Sequence, residues 1–271
     1  MPAHSDLEQW LREELEHYTF DVLGIFRKTS PSARWPIAAS SADQLEGLLH
    51  EHDHLLPLPK EPAALANILE VSIVDYLLTR LDATEGAEHT RGTERGYPDL
   101  EISGPAFGGS YHAVDVKVAR RGDTNKSKTQ SRITLYTGNT YFKWPDLHWP
   151  GTMRTFNDYR SHLDIIIIYT LDSDSKARVQ DMEIIVQQPW KIASKQRSST
   201  TREYLGAVES IAALRDGRGE FSTPAEFYRF WRAYPFKISA QVQKQLARLV
   251  QKQQQEIEQL RGQTAQLPLE D

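Results

Sequence analysis

Apolar residues recur along this chain with two distinct periods, and each period predicts a different element. Between residues 63 and 81, Leu65, Ile68, Leu69, Ile73, Tyr76, Leu77 and Leu81 fall at three- and four-residue spacing. That spacing predicts a long helix with one buried face. Residues 164–170 (DIIIIYT) form an unbroken aliphatic run, which predicts a central strand covered on both faces. Between 111 and 118 the side chains alternate, with Val114, Val116 and Val118 on one face and Ala113, Asp115 and Lys117 on the other. Ser5 followed by Glu8 reads as a capping box for a first helix running to about Tyr18. Residues 20–26 predict a short strand that pairs with 35–37 across a polar turn. Residues 133–135 and 182–187 read as further strands, 156–163 and 207–215 as helices, and 82–95, 120–132 and 193–204 as polar loops. Pro224, capped by Ser222 or Thr223, opens an aromatic helix that turns Phe227, Phe230 and Trp231 inward. From Lys237 onward Val242, Leu246, Leu249, Gln253, Glu256 and Leu260 follow a heptad spacing that the two polar members interrupt. Coiled-coil pairing and a lone helix docked on the body both fit that pattern. The division expected is residues 1–236 as one α/β unit and 237–271 as a glutamine-rich helical tail.

The stretch with chemistry in it is 96–117. Two strand-like runs flank a turn built from Gly104-Pro105 and Gly108-Gly109. Asp99 stands at the start of the first run, and Asp115 and Lys117 share one face of the second. Converging carboxylates make a hard oxygen site of the kind Mg²⁺ takes when it also meets phosphate. A lysine two residues on can orient or deprotonate a metal-bound water. A surface hairpin with solvated charges gives the same short pattern. Asp115 and Lys117, however, interrupt a run that should be buried, where unpaired charge is costly. Glu70 sits beside the helical stripe of 63–81, and periodicity alone makes it an ordinary boundary residue.

Charge changes the picture more by its distribution than by its sum. The 271 residues carry a net charge of −5, but 117–160 hold 9 basic and 3 acidic side chains, while 1–70 hold 5 basic and 12 acidic ones. A basic surface beside the acidic hairpin suits a polyanionic substrate. There is no cysteine, which excludes disulfides, thiolate catalysis and cysteine zinc sites. The N-terminus lacks the basic and apolar regions of a signal peptide, and the aliphatic run 165–168 is too short to span a bilayer. The expectation is a cytoplasmic prokaryotic protein with no membrane partner.

These motifs resemble a type II restriction endonuclease of the EcoRV kind, within the PD-(D/E)xK nuclease superfamily. FDVLGIF followed by WPIAA resembles its dimerisation segment (about 19–40), and NILEVS resembles the helix that carries a further active-site glutamate. ITLYTGNTYF and GRGEFSTPAEFYRFWRAY resemble later parts of the same fold. The resemblance implies a restriction-endonuclease-like mixed β-sheet core flanked by helices, and a homodimer gripping double-stranded DNA. It implies Mg²⁺-dependent cleavage, with Asp99, Asp115 and Glu70 as metal ligands and Lys117 activating water. It also implies a cognate DNA methyltransferase in the same cell. DNA contacts are expected from Thr93, Glu94 and Arg95, from Asn139 and Thr140, and from the loop Ser198, Ser199, Thr200, Thr201, Arg202, Glu203 and Tyr204. That loop departs from the family pattern in lacking its glycines and asparagines, so the catalytic residues carry over and the target sequence does not. A nicking or repair nuclease on the same fold, and a non-catalytic DNA-binding or scaffold protein, are the competing readings.

Overall fold

The computed structural model describes residues 6–20, 40–44, 62–93, 96–172 and 178–264. The expected strand pair and dimerisation segment within 20–40 fall almost wholly outside these residues, as do Ser5, Glu94, Arg95 and the end of the tail. Helix α1 (Leu7–Leu15) is capped by Asp6, whose side chain accepts from the Glu8 amide at 3.0 Å. It stops three residues short of Tyr18. Leu7, Trp10, Leu11 and Leu15 bury one face. Helix α2 (Pro62–Asp82) buries Leu65, Leu69, Ile73 and Leu77 completely, following the spacing read from sequence. The Tyr18 hydroxyl bonds Ser72 Oγ at 2.9 Å, and Arg80 pairs with Glu14, fixing the two helices together. By length and composition α2 is apolar enough to cross a membrane. Its apolar side instead covers a sheet, while Asp75 on the other side pairs with Arg91.

The strands follow in chain order: β1 (Glu88–Arg91), β2 (Leu100–Ser103), β3 (His112–Arg120), β4 (Thr134–Thr137), β5 (Ser161–Leu171), β6 (Val179–Gln187), β7 (Ala193–Arg197) and β8 (Tyr204–Ala207). One sheet runs β1-β2-β3-β5-β6, with β3 and β5 parallel and its other pairs antiparallel; a second runs β4-β8-β7. Helices α3 (Pro189–Ile192), α4 (Ile211–Arg215), α5 (Pro224–Ala233) and α6 (Ala240–Thr264) complete the described residues.

The core has two compartments, one on each face of the larger sheet. Val114, Val116, Ile165 and Ile167 face α1 and α2. Ile166 and Ile168 face the opposite way, onto Leu135, Phe142, Phe227 and Trp231 of the second sheet and α5. Strand β5 is thus covered on both faces, as its sequence predicts. Each fully buried isoleucine contributes roughly 1.5–3 kcal/mol relative to exposure.

Four expectations need correction. Residues 156–163 form no helix: a single 3-10 turn (Phe156–Asp158), closed by a Thr155–Asp158 capping box, gives way to β5. Parallel pairing with β3 along all nine of its residues outweighs the local helical pattern. The charged loop 82–95 contains β1, and the polar loop 193–204 begins with β7. The helix expected over 207–215 starts only at Ile211, because Ser210 caps it and 204–207 are taken by β8.

Candidate active site

The site forms where β2 and β3 part. Their ladder ends at Leu100 paired with Val114, so the next outward amide on that edge of β3, at Val116, has no strand partner there. Asp99 replaces it: Oδ2 accepts from the Val116 amide at 2.6 Å. A buried backbone donor is thereby satisfied, and the carboxylate is fixed at the mouth of the notch. Asp115 and Lys117 project from β3 on the face opposite Val114 and Val116, and the Lys117 ammonium is ion-paired with Asp115 Oδ2. Glu70 reaches the same cleft from α2. The cleft measures about 480 Å³ and is walled by Tyr97, Tyr136, Tyr141 and Trp149, with Gln245 of α6 at its rim.

Crowded acids dominate the electrostatics. Burial and the neighbouring charge of Asp115 push Asp99 up to about 8. Burial likewise raises Glu70, with Lys117 pulling it back and Asp115 pushing it further. For Lys117, burial works against the charge, but Asp115, Asp164 and Asp99 outweigh it and hold the ammonium above its usual range.

Asp164 is the residue that sequence reasoning missed. It is the fourth residue of β5, in register with Asp115, is 1% exposed, and its Oδ2 has no hydrogen-bond partner among the described residues. Burial drives its carboxyl far upward, with Asp115 adding to the shift and Lys117 opposing it. The aromatic lining was missed as well. Tyr97 holds the floor together through a 2.7 Å bond from its hydroxyl to His162 Nδ1, while His162 Nε2 lies 3.0 Å from the Phe156 carbonyl. A carbonyl can only accept, so Nε2 carries the proton and Nδ1 accepts from Tyr97. Trp149 Nε1 is buried in the cleft wall with no partner among the described residues, and the Tyr141 hydroxyl interacts with that of Tyr97.

The expected DNA-contacting residues divide by what they already hold. Thr140 and Tyr204 line the same cleft. Asn139 donates to the Lys237 carbonyl at 2.9 Å and so ties the tail down. Ser198 bonds Thr134 across the second sheet. Ser199 Oγ accepts from the amides of Thr201 and Arg202 and shapes the loop tip, where Thr200 is also exposed. Glu203 is occupied by Arg197 at 2.7 Å and by the Lys237 amide at 3.2 Å. Arg202 stays exposed, its guanidinium 5.8 Å above the Tyr204 ring. Thr93 is exposed beside the cleft entrance, its carbonyl accepting from Gly96.

Among the described residues no three acidic or histidine side chains converge into a ready-made metal cage. That suits Mg²⁺, which is held by one or two carboxylates, its own waters and substrate phosphate rather than by an all-protein shell. Asp99 and Asp115 fit such a donor set, and the surplus negative charge that raises Asp99 is of the kind a divalent cation would relieve.

A mixed sheet with an acid and an acid-x-lysine pair at a strand notch defines a restriction-endonuclease-like nuclease. The chain belongs to the EcoRV restriction endonuclease family, whose model (restriction endonuclease EcoRV) matches residues 31–256. No curated protein matches the chain. Membership makes it a nuclease acting on DNA. The match runs into α6, as far as residue 256.

Proposed function

We propose that the chain is a type II endonuclease that works as a homodimer, requires Mg²⁺, and cuts both strands of DNA at a palindromic site. The products are 5′-phosphates and 3′-hydroxyls, and a cognate methyltransferase protects the host's own sites. The observation that carries this reading is the pinning of Asp99 by the Val116 amide beside the Asp115–Lys117 pair. It holds an acid in place before any substrate arrives, which is how positioned groups lower a barrier.

Asp99 and Asp115 would hold Mg²⁺, which would supply Lewis-acid polarisation of the phosphate and acidify a water. Asp99 and Asp115 orient the phosphodiester. Lys117 steers the attacking water and offsets charge developing on the phosphate, and Glu70 assists from α2. Asp164, in register with Asp115, adds to the electrostatic pull on the ammonium of Lys117. With Glu203 tied to Arg197 and the Lys237 amide, base reading by the β7–β8 loop falls to Arg202.

Incubating the protein with a plasmid of known sequence and Mg²⁺, then mapping the ends, tests the proposal. Discrete double-strand cuts at a repeated palindrome support it. Nicked circles alone would favour a nicking or repair enzyme on this fold, and intact DNA would remove the catalytic reading.

A further inference from the structure

Helix α6 is polar, long and mostly exposed, yet it does not leave the body at random. Val242, Leu246 and Leu249 pack on the compartment beneath the second sheet, and Gln245 lines the catalytic cleft. Further along, Leu249, Lys252, Gln253 and Glu256 wall a second cavity of about 270 Å³ with Asp146, Leu147, His148 and Thr155. The segment from Trp149 to Thr152 continues that wall into the catalytic cleft, where the Tyr97 amide donates to the Gly151 carbonyl at 2.9 Å. The helix therefore runs along the outer rim of the cleft that holds Asp99, Asp115 and Lys117.

Its charges are not scattered. Lys244, Arg248 and Lys252 recur every fourth residue, and four residues turn a helix by only about 40° beyond a full circle. The three cations thus form one slowly winding stripe, each about 6 Å further along the axis. Gln245, which faces the cleft, lies about 100° round from Lys244, between the stripe and the packed leucines. Between residues 244 and 254 the opposite flank carries Ala247, Val250 and Gln254 and no charge; Glu258 and Arg261 come on it only further along. All three cations are exposed. Lys244 and Arg248 have no carboxylate partner among the described residues, and Lys252 has only the solvent-exposed Glu256 at 3.7 Å, a pair of little strength.

The geometry points to α6 as a wall of the DNA-binding cleft, with Lys244, Arg248 and Lys252 gripping the phosphate backbone beside the scissile phosphate. This rests on the proposed reading that DNA lies in this cleft, and it adds an anchoring surface that carries no base information. The stripe neutralises phosphates in a row, so it contributes to binding of every sequence and makes that binding salt-sensitive.

The test is a salt titration of binding, by fluorescence anisotropy, on the full-length protein with a labelled duplex and Ca²⁺ in place of Mg²⁺. Exchanging the stripe for glutamines (Lys244→Gln, Arg248→Gln and Lys252→Gln together) keeps helix propensity and removes charge; circular dichroism checks that α6 persists. The slope of log K against log salt should become shallower by about 0.9 for each phosphate that is no longer neutralised, with affinity falling alike on cognate and unrelated sequences. Arg248→Lys, which keeps the charge, should restore the wild-type slope at its position. An unchanged slope in the triple variant overturns the inference, as does tighter binding, which would make α6 a lid that DNA must displace. If the wild-type protein itself binds no DNA at low salt, the underlying reading of the cleft fails instead.

Discussion

Asp115 and Asp164 face each other in register on the parallel strands β3 and β5, one ion-paired with Lys117 and the other buried with an oxygen that bonds nothing among the described residues. An isolated buried carboxylate costs stability unless it keeps its proton or gains a cation. The fold tolerates this one beside Lys117. Asp164→Asn should therefore leave the protein at least as resistant to urea as wild type. It should slow cleavage by roughly 10²-fold through a misplaced Lys117. Ca²⁺ affinity, measured by calorimetry, should change little. A cleavage rate equal to wild type would show that Asp164 plays no part in holding Lys117.

The three residues of the notch should fail in different ways. Asp99→Asn keeps an oxygen for the Val116 amide, so it should preserve the fold while weakening cation binding. Asp115→Ala should lose both cation binding and cleavage. Lys117→Ala should bind the cation as well as or better than wild type, because it removes a competing positive charge, and still cut DNA several orders of magnitude more slowly. Single-turnover cleavage beside Ca²⁺ titrations separates these outcomes. Near-normal cutting by folded Asp115→Ala would refute the site.

His162 gives stability a dependence on pH. Burial holds its imidazole down at about 4, against about 6.5 in an unfolded chain. Between those values the unfolded chain takes up a proton that the native state refuses. Stability from this residue is complete above about 6.5 and falls as pH drops toward 4, with a slope of up to about 1.4 kcal/mol per pH unit. Asp99 works in the opposite sense. Its raised carboxyl keeps a proton in the native state that the unfolded chain releases, so its contribution falls as pH rises from about 4 to 8. His162→Gln retains a donor for Phe156 and an acceptor for Tyr97. In urea unfolding of the metal-free protein, the stability gap between wild type and this variant should narrow steadily on going from about pH 7 to pH 5.

Arg202 should read bases. Arginine pairs bidentately with guanine O6 and N7, so the palindrome should contain a G·C pair within reach of the β7–β8 loop. Arg202→Ala should cost about 1–3 kcal/mol at the cognate site and little on unrelated DNA. A loss spread evenly over all sequences would make Arg202 a phosphate contact instead.

What could be read in the sequence was whatever periodicity or local spacing encodes. The stripe of α2, the doubly buried β5 and the Asp99, Asp115 and Lys117 set follow from neighbours in the chain. Strand β1 was not legible, because its residues EHTR are polar and mostly exposed and exist as a strand only through pairing with β2. Residues 156–163 misled because Phe156, Tyr159 and Leu163 fall at helical spacing. In the fold Phe156 stacks on His162 at 3.9 Å, and the chain runs extended. Asp164 escaped notice because an acid heading an aliphatic run reads as a solvated strand end. Only the parallel register with β3, which no local pattern contains, places it beside Asp115.

Gly138 has the Phe236 ring where a side chain would stand: a Cβ there would come within 2.2 Å of it. The ring is also stacked on Trp231, 5.7 Å between centroids. Phe236 is thus a pin in a socket, four residues before α6 begins, and the bearing of the whole helix is fixed at its root. The glutamines beyond can drift in sequence without swinging the helix off line. One methyl group at position 138 would unseat the pin and turn the rim of the cleft away from its target.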